Sequence, residues 1–275
     1  MSFLDPDVLP VGLRSVGRAM LPAPARAFMA ATLYDLARLR HRRTAEYADN
    51  RRRLRQLQNT REGTCVIIGN GPSMRGFDLT RLGGVDTFCL NRGYLMWKDT
   101  GLSPTYLVAV NNLVLEQFGN EIAAVNALRF TPWEHRTTKT NELDHFFGMK
   151  WHHGFTGDVS RPLWAGYTVT FVAMQIAYHL GYRRVVLIGV DHRFTHEGKP
   201  NEKLLSTDTD PNHFTGSYFG PGTYWHAPDL AMSEVAYRLA DDAFRKDGRE
   251  IIDATEGGAL RIFPRHNLSE ALLLS

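Results

Sequence analysis

The stretch TCVIIGNGPSM, Thr64 to Met74, joins five residues that favour a buried strand to a run of small and turn-forming residues. A short, continuously apolar strand is typical of a parallel sheet covered on both faces. Gly69 and Gly71 relieve steric limits in the turn, so that backbone amides and the Ser73 hydroxyl become potential donors to a phosphate. The alternative is a tight turn capped by Ser73, with no ligand.

The turn matches neither of the common nucleotide signatures. A P-loop needs Lys and then Ser or Thr after its glycines, and a dinucleotide fingerprint needs a third glycine three positions after the second. Ser73 and Met74 satisfy neither requirement. Asn70 remains as a side chain that could read a ribose or a base.

Further strands and helices are predicted beyond this stretch. The strands cover residues 86–90, 105–110, 127–131 and 184–190, with a last one near 249–253, and the clearest helices cover 168–180 and 229–246. Short apolar strands that alternate with helices predict an α/β fold with a doubly wound, mostly parallel sheet. We expect one domain over residues 61–275.

Polar residues follow nearly every predicted strand. They are Asn70 to Ser73, Asn91, Asn111 with Asn112, Asp191 with His192, and Asp253 to Thr255. The carboxyl ends of parallel strands lie on one edge of a sheet, where ligands bind. These groups are therefore predicted to converge on one crevice.

A long segment, residues 191–229, shows no obvious regular element and is predicted to be a lid over that crevice. It carries four histidines: His192, His196, His213 and His226. Their spacings do not match a zinc site and neither cysteine is near, so no metal site is predicted. Of these, His213 and His226 are the candidates for a functional role, because histidines on binding loops often act in chemistry near neutral pH.

Composition narrows the class of protein. A chain of 275 residues with 43% hydrophobic content can bury a large core. Cys65 and Cys89 fall in apolar runs, which predicts buried thiols in a reducing compartment. No apolar run is long enough to span a membrane and no signal peptide is recognisable, so we expect a cytoplasmic protein.

The positive charge belongs to the N-terminal segment. Residues 1–63 hold 12 arginines, no lysine and 6 acidic residues and so carry +6, whereas the remaining 212 residues carry −3. A basic helix over about 26–58, within an extension of residues 1–60, would lie on an anionic membrane surface or a partner. Alternatively it is a solvated helix that packs on the domain or on a second subunit, and we expect a homo-oligomer. Nucleic acid is not expected, because aromatic interleaving is absent.

Four blocks of sequence together resemble a known superfamily. They are VIIGNGPS, LNRGY, GYTVTFVAMQIAYHLGYRRVVLIGVDHRF and DPNHFTGSYFGPGTYWH. They resemble the DUF115 group, which includes 6-hydroxymethylpterin diphosphokinase-like proteins and the motility accessory factor glycosyltransferases. The same plan is similar to the bacterial CMP-sialic acid sialyltransferases of glycosyltransferase family 42. The resemblance covers residues 60–265 and implies a Rossmann-like, GT-A-like domain.

The resemblance also implies roles for individual residues. Matching positions hold the nucleotide sugar through Asn70 and Ser73, then through Asn91, Asn111 or Asn112, with Thr168 near the donor. The family's general base corresponds to His226. Where the family has phosphate-binding tyrosines after its GxD block, this chain offers Arg193 and His196, and Tyr218 or Tyr224 could substitute from the lid.

The resulting expectation is an inverting glycosyltransferase that moves an acidic sugar, such as a sialic acid, a related nonulosonate or Kdo, from a CMP-activated donor. Its acceptor would be a hydroxyl of a surface glycan or glycolipid. No metal is required, because the donor already carries its phosphate on the anomeric carbon. The first alternative is ATP- and Mg²⁺-dependent diphosphoryl transfer with Asp191, Asp208 and Asp210 at the metal. The second is a nucleotide-binding accessory protein without turnover.

Overall fold

The computed structural model describes residues 43–98, 100–136, 141–151, 153–195 and 199–273. The chain forms two compact units, Met1–Leu54 and Arg55–Ser275. Helix α1 covers Ala45–Gln56, inside the predicted basic helix, and residues 26–42 of that prediction lie outside the described part. His196 of the lid also lies outside it.

Eleven strands are present in the described residues. In chain order they are β1 (Thr64–Ile68), β2 (Asp86–Leu90), β3 (Tyr106–Val108), β4 (Leu128–Pro132), β5 (Asp144–Phe147), β6 (Met149–Lys150), β7 (Leu163–Trp164), β8 (Arg184–Ile188), β9 (Lys203–Leu205), β10 (Tyr224–His226) and β11 (Glu250–Asp253). Seven of them form the central sheet, in the order β11-β8-β1-β2-β3-β4-β5. Every neighbouring pair in this sheet is parallel.

The fold is therefore the predicted α/β, Rossmann-like architecture. The sheet grows outward from β1 to β5 on one side, and β8 and β11 lie on the other side of β1. The strand order thus reverses between β1 and β8. In open parallel sheets such a reversal opens a crevice at the carboxyl ends of the two strands, and a ligand-binding site is expected there.

Helices cover both faces of the sheet. They are α2 (Asn112–Ala124), α3 (Val169–Leu180), α4 (Leu230–Lys246) and α5 (Leu268–Leu273). Val66 and Ile68 belong to one buried cluster with Val114 of α2 and Leu268 of α5. Alternate residues of a strand point to opposite faces, and on the other face α3 contacts β1, β2 and β3, and α4 contacts β11.

The predicted elements are confirmed with shifted ends. Helix α3 begins after Thr168, whose hydroxyl accepts from the amide of Thr170 at 3.3 Å, and α4 begins after Asp229, whose carboxylate accepts from Met232 at 3.0 Å. Each of these residues is thus an N-cap. Strand β8 stops at Ile188, two residues early, because Gly189 turns the chain with φ of 68°.

Two predictions about regular structure are wrong. Strands β5, β6 and β7 were not predicted: β5, DHFF, includes an aspartate and a histidine and so forms no apolar run, and β6 and β7 have two residues each. The lid was predicted to lack regular elements, yet β9 and β10 form an antiparallel pair within it. Each strand has three residues and the two are far apart in the chain, so neither periodicity nor a tight turn marks them.

Both cysteines are buried free thiols, as predicted. Burial raises the pKa of Cys65 and of Cys89 well above the ordinary thiol value, because a thiolate would lose its hydration. Among the residues that the structure describes, no helix is long and apolar enough to cross a bilayer.

Candidate active site at the carboxyl edge of the sheet

The turn after β1 is joined to the loop after β8 by backbone contacts. The amide of Gly69 donates to Ile188 at 2.7 Å, and the amide of Gly71 donates to Gly189 at 3.0 Å. A Cβ on Gly69 would lie closer to the carbonyl oxygen of Gly189 than the 3.0 Å that real Cβ atoms keep. Only glycine fits at position 69, because the backbone there lies so close to the backbone of Gly189.

The donors of Ser73 bind a carboxylate of the chain itself. Asp191 accepts from the Ser73 amide at 3.1 Å and from the Ser73 hydroxyl at 2.7 Å. A Cβ on Gly71 would overlap the same carboxylate. In this structure Asp191 thus occupies the position at the start of the 3₁₀ turn Pro72–Met74 where an anion was predicted to bind. Gly71 and Ser73 are explained by Asp191 without a bound phosphate.

Asn70 links the turn to β2 and to the lid. Its Nδ2 donates to the carbonyl of Leu90 and to the hydroxyl of Tyr218, both at 2.9 Å. Its Oδ1 is buried and has no hydrogen-bond partner. An unpaired buried acceptor is costly in free energy and is uncommon in native proteins. Asn70 therefore connects the turn after β1 to β2 and to the lid, and its Oδ1 remains an unsatisfied acceptor.

The asparagines after β2 and β3 are fixed through their oxygen atoms. Asn91, in the left-handed region with φ of 49°, accepts from the Val110 amide at 3.3 Å. Asn111 caps α2 by accepting from Val114 at 3.3 Å. Neither Nδ2 group has a hydrogen bond to any described residue. Two amide donors are consequently available at this edge.

The other asparagine of this pair has an internal partner. Oδ1 of Asn112 lies 2.7 Å from Nε2 of His135. The Nδ2 group of Asn112, like that of Asn111, has no hydrogen bond to a described residue, so these contacts do not distinguish the two residues that the resemblance leaves open after β3.

A buried histidine–aspartate pair lies in the lid. Nδ1 of His213 is 2.7 Å from a carboxylate oxygen of Asp210, and both residues are less than a tenth exposed. The imidazole stacks on the ring of Tyr218, with centroids 4.0 Å apart and planes within 4°. Nε2 of His213 has no hydrogen bond to the described residues, and the side chain is 11% exposed.

Residues 210–219, which we call the dyad loop, are fastened to the GNGPS turn. The amide of Phe214 donates to the carbonyl of Asn70 at 2.9 Å. The guanidinium of Arg75 donates to the carbonyls of Pro211 and His213, at 3.0 and 3.2 Å. Together with the bond from Asn70 to Tyr218, these contacts place His213 beside the turn after β1.

The remaining predicted site residues lie outside the dyad loop. His226 ends β10, opposite Lys203. Thr168 caps α3, with its hydroxyl 3.5 Å from that of Tyr237. Arg193 donates to the carbonyl of Gly257.

The aspartates of the metal-dependent alternative are not gathered into a cluster. Asp191 is bonded to Ser73, and Asp210 is bonded to His213 and to the Asn212 amide. Across the described ranges, no group of three or more His, Cys, Asp or Glu side chains is placed to hold a metal ion.

Two contributions to the site were not predicted. The pairing of Asp210 with His213 is signalled only by a separation of three residues within DPNH, which is common in loops. Arg92, in LNRGY, is buried under the dyad loop and bonds its backbone. Nothing in the sequence distinguishes this arginine from a solvated one.

Comparisons with known proteins reveal one structural similarity. No family model matches the chain, and no curated protein matches it significantly. A solved structure, the MAf glycosyltransferase from Magnetospirillum magneticum AMB-1, aligns over 83% of this chain with 14% identity and a TM-score of 0.48. The alignment covers 39% of that protein's length.

Proposed function

We propose that this chain is an inverting glycosyltransferase that moves an acidic sugar from a CMP-activated donor to a hydroxyl of a surface glycan or glycolipid. The observation that carries the proposal is the His213–Asp210 pair, which lies against the Asn70 turn with no described residue bonded to Nε2. A base and potential donors to a nucleotide sugar are thus at the same edge of the sheet.

The pair suits the chemistry of glycosyl transfer. With Asp210 accepting from Nδ1–H, the neutral imidazole keeps its lone pair on Nε2, which can take the proton of an acceptor hydroxyl. The departing nucleotide phosphate gains negative charge, which hydrogen-bond donors stabilise. The amide groups of Asn91 and Asn111 are such donors, and neither is bonded to a described residue.

His213 is a better candidate for the base than His226, the residue at the family's position. A general base needs a fixed tautomer and an accessible lone pair. For His213 the bond to Asp210 favours a proton on Nδ1, and no described residue is bonded to Nε2. His226 lies on a strand that is tied to α2, since the backbone of Tyr224 exchanges two 2.9 Å bonds with Gln117. We assign His226 a structural role in the β9–β10 pair.

The alternatives have less support. Diphosphoryl transfer needs Asp191, Asp208 and Asp210 at a metal, yet Asp191 and Asp210 have other partners. An accessory protein without turnover would bind a nucleotide and need no base. Loss of turnover on substituting His213 would argue against it.

Nucleotide binding without metal tests the proposal first. We expect CMP to raise the melting temperature in chelator, whereas ADP, ATP, GDP and UDP have little effect, because selective ligands stabilise the native state by mass action. In a titration, Asn91→Asp should weaken CMP binding about tenfold, since it removes the amide donor, keeps the oxygen that Val110 needs and adds a charge that repels phosphate.

Asn59→Asp is the matched control, because Asn59 also has a left-handed backbone, with φ of 53°, and is exposed. It should leave CMP binding unchanged. A melting shift that requires both ATP and Mg²⁺ would contradict the CMP proposal and favour diphosphoryl transfer.

The arginine-rich N-terminal segment is proposed to bring this cytoplasmic enzyme to the inner face of a membrane that carries its acceptor. Replacing the arginines of residues 1–58 by glutamine should reduce sedimentation with anionic vesicles at least tenfold, because each basic residue contributes about 1 kcal/mol near an anionic surface. Neutral vesicles serve as the control, and CMP binding should not change. Equal sedimentation of the two proteins would exclude this role.

A further inference from the structure

Arg92 is a buried cation without a carboxylate partner. The residue is 8% exposed, its Nε is buried and unbonded, and no carboxylate of the described residues pairs with it. The nearby hydroxyl of Tyr94 donates to Glu121 at 2.7 Å. Burial and Glu121 raise the pKa of Tyr94 to about 12, so this tyrosine is neutral and does not balance the charge.

Such a cation does not serve stability well. Removing a guanidinium from water is expensive unless its charge and all its donors are matched, and apolar side chains of similar volume are often at least as stabilising. The guanidinium lies 3.6 Å from the ring centre of Phe118, a cation–π contact that recovers part of this free energy. Nε recovers none.

Arg92 instead forms hydrogen bonds with both the backbone and the hydroxyl group of Tyr218. Its guanidinium donates to the carbonyl of Tyr218 and, at 3.3 Å, to that of Ser217. Its backbone amide is 3.3 Å from the hydroxyl of Tyr218, which also accepts from Asn70. Arg92 therefore contacts Tyr218 both at its backbone carbonyl and at its hydroxyl, on the two sides of the ring.

The ring of Tyr218 sets the plane of His213. The two rings are stacked nearly parallel, and the edge of Phe219 closes against His213 with centroids 5.1 Å apart. Asp210 fixes the rotation of the imidazole within that plane through Nδ1. Both constraints are needed to aim Nε2, and Arg92 supplies the first through Tyr218.

From these contacts we infer that Arg92 is a positioning residue for His213. The inference rests on the proposed function, in which His213 is the base. A base must be held to within a fraction of an ångström, so a residue that never meets the substrate can affect turnover strongly.

The kinetic test is a double-mutant cycle, with release of CMP from CMP-sialic acid as the assay. Arg92→Met, which keeps the apolar stem, should lower kcat about 10- to 100-fold with donor KM within about threefold of wild type. In a His213→Asn background the same change should lower kcat less than about threefold, because the base is already absent. Equal losses in both backgrounds would overturn the inference.

Arg81→Met is the matched control. Arg81 is an exposed arginine over the ring of Phe77, at 5.3 Å from its centre, so the change also removes a cation–π contact. Its kcat should match that of wild type. A loss equal to that of Arg92→Met would overturn the inference.

A spectroscopic measurement separates this inference from the proposed function. The Nδ1 proton of His213 is protected from solvent exchange by its bond to Asp210, so it should give a slowly exchanging resonance in the proton NMR spectrum of the wild-type protein. Arg92→Met should broaden or abolish it, and an unchanged resonance would overturn the positioning role even if His213 is the base. If His213→Asn keeps full turnover, or if no CMP is released, the proposed function fails and this resonance alone decides whether Arg92 holds the ring.

Discussion

His213→Asn should lower the rate of sugar transfer about a hundredfold or more while donor affinity changes less than about threefold, because a general base contributes about 10² to 10⁴ to turnover and little to ground-state binding. Asparagine retains an N–H that can donate to Asp210, so the packing of the dyad loop is largely kept. Single-turnover kinetics with CMP-sialic acid and a CMP binding titration measure the two quantities.

Two companion variants sharpen this result. Asp210→Asn should lower the rate about tenfold or more, because an amide can turn its NH₂ toward Nδ1 and impose the wrong tautomer on His213. His226→Asn should keep turnover within about threefold of wild type, since we assign His226 a structural role in the β9–β10 pair. The opposite pattern, with His226 essential and His213 dispensable, would transfer the role of base to the residue implied by the family resemblance.

The second large effect concerns stability. Gly69→Ala should lower the free energy of unfolding by about 3 kcal/mol or more, because its methyl group would meet the backbone of Gly189 rather than a side chain that can move aside. Relief would require β1 and β8 to separate at the centre of the sheet. Urea denaturation followed by circular dichroism gives the difference directly.

Gly119→Ala is the control for this substitution. Gly119 lies inside α2, and a Cβ there would meet nothing within 4 Å. Alanine is the better helix former, so this variant should be unchanged or more stable by up to about 1 kcal/mol. If Gly69→Ala were as stable as Gly119→Ala, the close approach of Gly69 to Gly189 would be refuted.

The sheet was predictable because its central strands β1 and β8 are apolar and buried at every position after the first. TCVII and RVVLI are buried on both faces and read as continuous runs, which few other structures produce. The convergence of polar residues at one edge follows from strand direction alone. The edge strand β5 and the β9–β10 pair escaped prediction because partners outside each segment, rather than local pattern, decide whether it is a strand.

The chemistry of the site was less predictable, because it depends on pairs far apart in the chain. Ser73 and Asp191 are 118 residues apart, and Asn70 and Tyr218 are 148 apart. Either partner taken alone has several plausible roles: the sequence predicts that Ser73 donates to a phosphate, whereas in the structure Ser73 donates to Asp191. Arg92 has no local signature, because its burial is created by residues of the lid.

The interlocked turns after β1 and β8 also matter for protein engineering. Gly69 and Gly71 are shaped to Gly189 and Asp191, so a nucleotide-binding loop grafted into only one of the two turns would meet a surface that does not fit it. The turns after β1 and β8 therefore form one structural unit. A change of ligand specificity that requires a different loop here should exchange both turns in the same step, and we expect most variants with only one altered turn to lose stability.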